Sequence, residues 1–406
     1  ELSKLQFKGY TYSPITINGT AGKEFIKATA STEDPNASAM LGLTYKHNRK
    51  GNKLDIHLAV DSFIPHNLNL KYKEPHIFSF TADGEYEHRD NGKSLTNIKI
   101  QNFCHNDGKE ATNIQYFHLY DDNTEEKRSI TINSDILNAD IVGYFNTDNL
   151  IGSYIKLIDR HLPALNINKS NSRVQNNYFY RVEILDTKLP GKLLDLPFAI
   201  KGKSRIWGSC YDSNGTASIE AELNGVTAGK SYYSSINLKG TSDKETFMVD
   251  ASILKPNDNT PQRHSGNNEN GLIINLHSTI ASDSISSIAD WSDLAAECRN
   301  RGTLQMITKL DRDEKNKLCI ENIIAPSSFT HDGSMWNITP GIIKGNSEEV
   351  TVNELKIYNK DQSIAIEGIA GKLIEDSLNI QLKNMDISTI MGLINFKAFL
   401  FDGRAT

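Results

Sequence analysis

Apolar and polar residues alternate in steps of two along most of this chain. Leu54, Ile56, Leu58 and Val60 share one side of an extended segment, with Asp55, His57 and Asp61 between or beside them. The same period runs through Ile98-Lys99-Ile100, Ile130-Thr131-Ile132 and the stretch from Ala217 to Leu223, which sets Ile219 and Leu223 on one side. It returns at Leu272–Leu276, at Ile364-Ala365-Ile366, and at Leu378, Ile380 and Leu382. A period of two predicts strands with one apolar and one wetter face. Polar punctuation separates them: residues 46–52, Asp83-Gly84, Asn91-Gly92, Asp107-Gly108, Asn214-Gly215 and Asp332-Gly333. Asn-Gly and Asp-Gly tolerate the positive φ of tight turns, so successive antiparallel hairpins are predicted.

Helical signals are few. Leu150, Tyr154, Ile158 and Leu162 form a stripe that Pro163 ends. A second candidate opens at Ser388, and a weaker one covers Ile285–Cys298. Residues 166–177 and 256–270 read as polar loops. No strict repeat length emerges, which argues against a motif-bearing solenoid or propeller. The reading is a mostly β protein: a long, curled antiparallel or mixed sheet with a few short helices, in segments 1–165, 166–270 and 271–406. So many amphipathic strands need a cover for their apolar face, either a second sheet or the curl of the sheet around a groove. The groove candidates are Leu54, Ile56, Leu58, Val60, Ile130, Ile132, Ile219, Leu223, Ile364, Ile366, Leu378, Ile380 and Leu382.

The 406 residues carry a net charge of -6, and hydrophobic residues make up 38%. That is too rich in isoleucine, leucine and aromatics for disorder. The charges are interspersed, and no basic block could track a phosphate backbone, so nucleic acid is not an expected partner. No apolar run reaches the ~18–20 residues of a spanning helix, and the start lacks the sections of a signal peptide. Both termini read as boundaries of a segment cut from a longer protein. Cys104, Cys210, Cys298 and Cys319 are far apart, with no paired metal-ligand spacing, and read as free thiols.

Catalytic patterns fail on inspection. Gly225–Ser231 has three residues between its glycines where a phosphate-binding loop needs four, and a strand pattern follows it, so it reads as a hairpin. The acidic runs 121–126 and 311–314 lack calcium-loop spacing and read as hairpin tips. His105 and His118 read as polar-face residues on neighbouring strands. No nucleophile elbow or paired-histidine zinc motif occurs. The expectation is a protein that is not an enzyme and needs no cofactor or metal, although two carboxylates of a glycosidase pair only in space.

Val350–Tyr358, followed by Asp361–Gly368 and then Asp376–Ile387, resembles the TamB family (translocation and assembly module, within the AsmA-like superfamily) in its Bacteroidetes-type form. The family phrase is a strand, a polar turn, an I-x-I-x-G strand and then D-x-L-x-I-x-L. Ile130–Phe145, with the helix ending at Leu162-Pro163, is similar to an upstream family segment, and Phe401–Ala405 to the strand opening the next unit. The resemblance is dense over residues 350–406 and thin before them. It implies a taco-like groove in a periplasmic protein anchored in the inner membrane. The implied role is phospholipid movement in outer-membrane biogenesis; a scaffold for outer-membrane protein assembly by strand pairing is the alternative. The anchor and the region expected to meet an outer-membrane β-barrel partner lie outside this segment. A carbohydrate-active β-sandwich is the remote third expectation.

Overall fold

The computed structural model describes residues 5–386, apart from 13, 50, 71–73, 90–91, 168–174, 257–270, 296 and 374, together with 404–405. Its main element is a sheet of 25 strands, from Ile15–Ala21 to Leu378–Lys383, with antiparallel pairing. The α-helices among the described residues are Leu150–His161 and Lys188–Leu194. The mostly β class read from alternation is therefore what the chain adopts. It divides into two compact units: residues 1–145 with 177–208, and residues 146–176 with 209–406.

In the first unit Leu5–Phe7 and Tyr10–Tyr12 form a separate hairpin, and from Ile15 on each strand of the meander pairs with its successor. The order runs Ile15–Ala21, Phe25–Asp34, Ala37–Asn48, Gly51–Phe63, Ile77–Arg89, Ser94–Asn106, Ala111–Asn123, Arg128–Ser134, Leu137–Tyr144 and Asn177–Ile184. Adjacent alternating segments joined by short turns can satisfy their backbone groups locally, so this meander follows from the pattern itself. The pairing register slips at Ser38/Ala39, between Val60 and Phe63, and between Ser79 and Thr81, with Asn102 at φ 53° on the next strand. These bulges lie at one level of neighbouring strands, and each adds bend and twist to its strand. Helix Lys188–Leu194 is tied to the hairpin after Asn106 by Lys192 on Asp107 at 2.7 Å and by Lys188 on Glu110.

Two expectations fail here. Asp83-Gly84 is mid-strand, not a turn, because Gly84 stands directly between Ile56 and Ile98 and the ladder continues through it. His105 is not on the polar face: it pairs opposite Phe78 on the apolar side, whereas His118 faces the other way and meets Asn97 at 2.8 Å. Asp107-Gly108 does turn, with Gly108 at φ 81°.

The second unit repeats the meander from Thr216–Ala228 through Ser231–Ser242, Phe247–Pro256, Gly271–Ala281 and Ser284–Asp293 to Arg301–Arg312. The segment 285–298, read as a weak helix, is mostly strand. Ile285, Ser287, Ala289 and Trp291 share one side of the strand Ser284–Asp293 in a period of two. Beyond it the strands split. Arg301–Arg312 pairs with both Leu318–Ile324 and Ser327–His331, which are one line broken at Ala325-Pro326. Ser334–Ile338 and Gly341–Gly345 are likewise one line broken at Thr339-Pro340, and both pair with Val350–Asn359, itself bulged between Val352 and Leu355. Proline cannot donate to a ladder, so both breaks are written into the sequence. Thr339 repairs part of the loss, its hydroxyl accepting the Lys356 amide at 3.1 Å.

Gln362–Ala370 and Leu378–Lys383 complete the sheet. Gly225–Ser231 lies in a hairpin as expected, with its turn at Gly229-Lys230. Helix Leu150–His161 is fastened to the strand ends of this unit. His161 Nε2 lies 2.9 Å from Ser242 Oγ, and Arg312 donates to the carbonyls of Ala164 and Leu165 at 2.8 and 3.2 Å. The helix expected from Ser388 and most of both polar loops lie outside the described residues.

Candidate functional site

Residues directly opposite each other in a sheet share a face, so register alone assigns the faces. In the first unit Leu43, Ile56, Gly84, Ile98, Leu119, Ile132, Ala139 and Val182 form one cross-strand row. Leu41, Leu58, Ala82, Ile100 and Phe117 form the next. Leu54, Val60 and Ile130 flank these rows on the same face. All six residues singled out in this part of the sequence are thus brought to one side, in two apolar rows crossing strand after strand.

The second unit behaves the same way. Ile219, Gly240, Val249, Ser278, Ser287, Met306, Ile324 and Gly341 make one row. Ile280, Ile285, Thr308, Asn322, Ile343, Val352, Gly368 and Leu378 make another. Ile364 opposite Leu382 and Ile366 opposite Ile380 lie on the same side. So do Ile219 and Leu223, which makes seven of seven expected residues. The polar intruders on this face satisfy each other: Ser278 with Ser287 at 2.9 Å, and Thr308 donating to Asn322 at 2.7 Å.

Burial describes the state of these rows. Ile130 is buried, and Leu54, Ile56, Leu58, Val60, Ile132, Ile219, Leu223, Ile364, Ile366 and Leu382 are half-buried. Leu378 and Ile380 are 39% and 56% exposed. A closed sandwich would bury its inner rows fully; these side chains lean on their neighbours and keep part of their surface open. Aromatic rings deepen the face at Trp291, Phe329 and Trp336, with successive centroids 6.3 and 6.4 Å apart. The sequence reading missed this cluster because each ring sits on a different strand. An ion pair also stands on the apolar face, Arg128 donating to Asp121 at 2.8 Å beneath the Phe145 ring.

The opposite face is laddered with charge. His57 pairs with Asp83 at 2.7 Å, Lys53 with Glu85, and His277 with Asp250 at 2.6 Å; Glu321 stands between Lys309 and Lys344. Lys53, held by Glu85, titrates above the ordinary lysine range. Exposed pairs of this kind contribute little stability, but they keep the face wet. Hollows of about 410 Å³, around Gly42, Asp55 and Lys99, and about 680 Å³, around Asp311, Glu321 and Lys344, open on this polar side of their respective units.

Among the described residues no three metal-binding side chains converge, and all four cysteines are free thiols. Burial pushes the Cys210 thiol up to about 12, which makes it a poor nucleophile. Compared with protein-family models, curated proteins and solved structures, the chain matches none.

Proposed function

We propose that the apolar face is a path for the acyl chains of phospholipid, and that the chain is a TamB-like segment of a periplasmic lipid-transfer protein. The observation that carries this reading is the run of mostly apolar rows across successive strands within each unit, whose few polar members pair with one another. Those rows stay half-open while the reverse face is charged. A row perpendicular to the strands advances ~4.8 Å per strand, so eight paired strands give a strip longer than an extended acyl chain. Such a strip holds chains mainly by contact area, and its polar groups are already paired with one another, so chains can slide. The role requires no bond-making, cofactor or metal.

The competing reading, a scaffold that pairs client strands, would use strand edges and their backbone groups instead of the apolar rows. The experiment that separates them is lipid analysis of the protein purified without detergent. Phospholipid bound in stoichiometric amount, and lost when apolar rows receive charges, supports the conduit. Bound polypeptide with no lipid supports the scaffold.

A further inference from the structure

In the first unit one end of the apolar face finishes in a pair of histidines. His105 belongs to the row Phe63, Phe78, His105, Thr112, one step beyond Phe80 and Phe103, and it is 0% exposed. Its Nε2 lies 2.7 Å from His76 Nδ1, the two rings stack with centroids 5.0 Å apart, and the Phe78 ring lies 5.0 Å away on the same side. A hydrogen bond between two ring nitrogens needs one protonated and one bare, so the pair tolerates one positive charge and not two. His105 Nδ1 has no hydrogen-bond partner, nor has Thr112 Oγ1 on the residue directly across.

The charged and titratable groups around His105 do not favour a second proton. They are His76 ahead of the strand Ile77–Arg89, Asp107 on the following hairpin, and Lys192 from helix Lys188–Leu194. Asp107 is already occupied by Lys192 and by the backbone amides of Lys109 and Glu110. Burial first, and His76 second, hold His105 below the ordinary histidine range.

We propose that the His76–His105 pair is a proton-sensitive clasp, which keeps this end of the apolar face closed at neutral pH and releases it on acidification. The sign follows from the depressed value. The neutral form's stability is fully present above pH ~6.5 and is lost as pH falls towards the folded value. Asp107 is held far below the carboxylate range by Lys192 first and then by its backbone amides, so the neighbouring latch stays charged throughout that window. The clasp deepens the lipid reading as a means of regulation, and its consequence for lipid rests on that reading.

Hydrogen exchange of the full chain at pH 7.5 and pH 5.5, corrected for intrinsic rates, tests it without any lipid. Protection should fall measurably, by at most about tenfold for one pH unit's worth of linkage, in residues 74–80, 100–112 and 188–198, while residues 362–370 of the second unit, which carry no histidine, keep theirs. His105→Phe, which retains a ring against Phe78, should abolish the pH dependence. His76→Gln, a milder change should the first variant not fold, should reduce it. Equal protection at both pH values in the parent overturns the clasp. So does an equal loss in the variants, or a loss spread over the whole chain. Lipid capture at pH 7.5 is read separately, so either idea can fail alone.

Discussion

Replacing Ile56 by arginine separates an open apolar face from a closed core. Ile56 is half-buried, with Leu43 on one side and Gly84 on the other, and Gly84 leaves space for a longer side chain. Full burial of an isoleucine is worth ~1.5–3 kcal/mol, so a half-buried one contributes about 1 kcal/mol. An arginine there can lay its stem along the row and bring its head to water, adding about 1 kcal/mol or less. The total of ~2 kcal/mol lowers Tm by roughly 4–8 °C for a unit of this size. In a sealed core the same charge would cost several kcal/mol more and unfold the unit. The control is His57→Arg, on the polar face of the same strand, which places a cation opposite Asp83. Thermal unfolding and photo-crosslinking to phospholipid with a diazirine-bearing acyl chain are measured on both. Ile56→Arg should stay folded and lose most of its adducts while the control keeps them. Collapse of the fold, or undiminished lipid capture by Ile56→Arg, refutes the reasoning.

Three further outcomes follow from single sites. Arg128→Met should cost ~2–4 kcal/mol by leaving Asp121 unpaired on the apolar face, and adding Asp121→Leu should restore most of it, as denaturant unfolding of the double-mutant cycle will report. Alkylation of the native protein at pH 8, followed by mass spectrometry, should modify the half-exposed Cys104, Cys298 and Cys319 and spare Cys210, whose thiol burial has raised to about 12. Gly143→Ala should cost ~3 kcal/mol or more, because φ is 151° and the new methyl would meet the Asn177 carbonyl at 2.2 Å; Gly92→Ala, with open space around it, should cost ~1 kcal/mol.

Alternation made the face assignment legible because a period of two leaves no choice once neighbours pair in order. Leu54 to Val60, Ile219 and Leu223, and Leu378 to Leu382 could be sorted by parity alone. Small residues hid other parts of the rows. Ala28, Ala82, Ala139 and Ala251 lie on the apolar face without looking like core in sequence. Asp83-Gly84 misled for a related reason. Glycine fits a turn, but it also fits a row where Ile56 and Ile98 crowd from both sides, and only pairing decides between them. Helix Lys188–Leu194 was missed because Pro190 and Gly191 interrupt its pattern; its ion pairs to Asp107 and Glu110 come from residues more than 70 positions away. His105 escaped for the same reason, since His76 and Phe78 meet it only across the sheet. Long-range pairing carries that information, and local composition does not.

The most direct test of the account uses two neighbouring positions. Leu119 is on the apolar face, opposite Ile98 and Ile132, and Tyr120 is on the polar face, opposite Asn97 and Thr131. A photoreactive amino acid placed at each in turn, in cells making the whole protein, reports what each face touches. The account predicts phospholipid adducts at position 119 and none above background at position 120. Equal lipid capture at both positions, or polypeptide adducts alone at position 119, would contradict it.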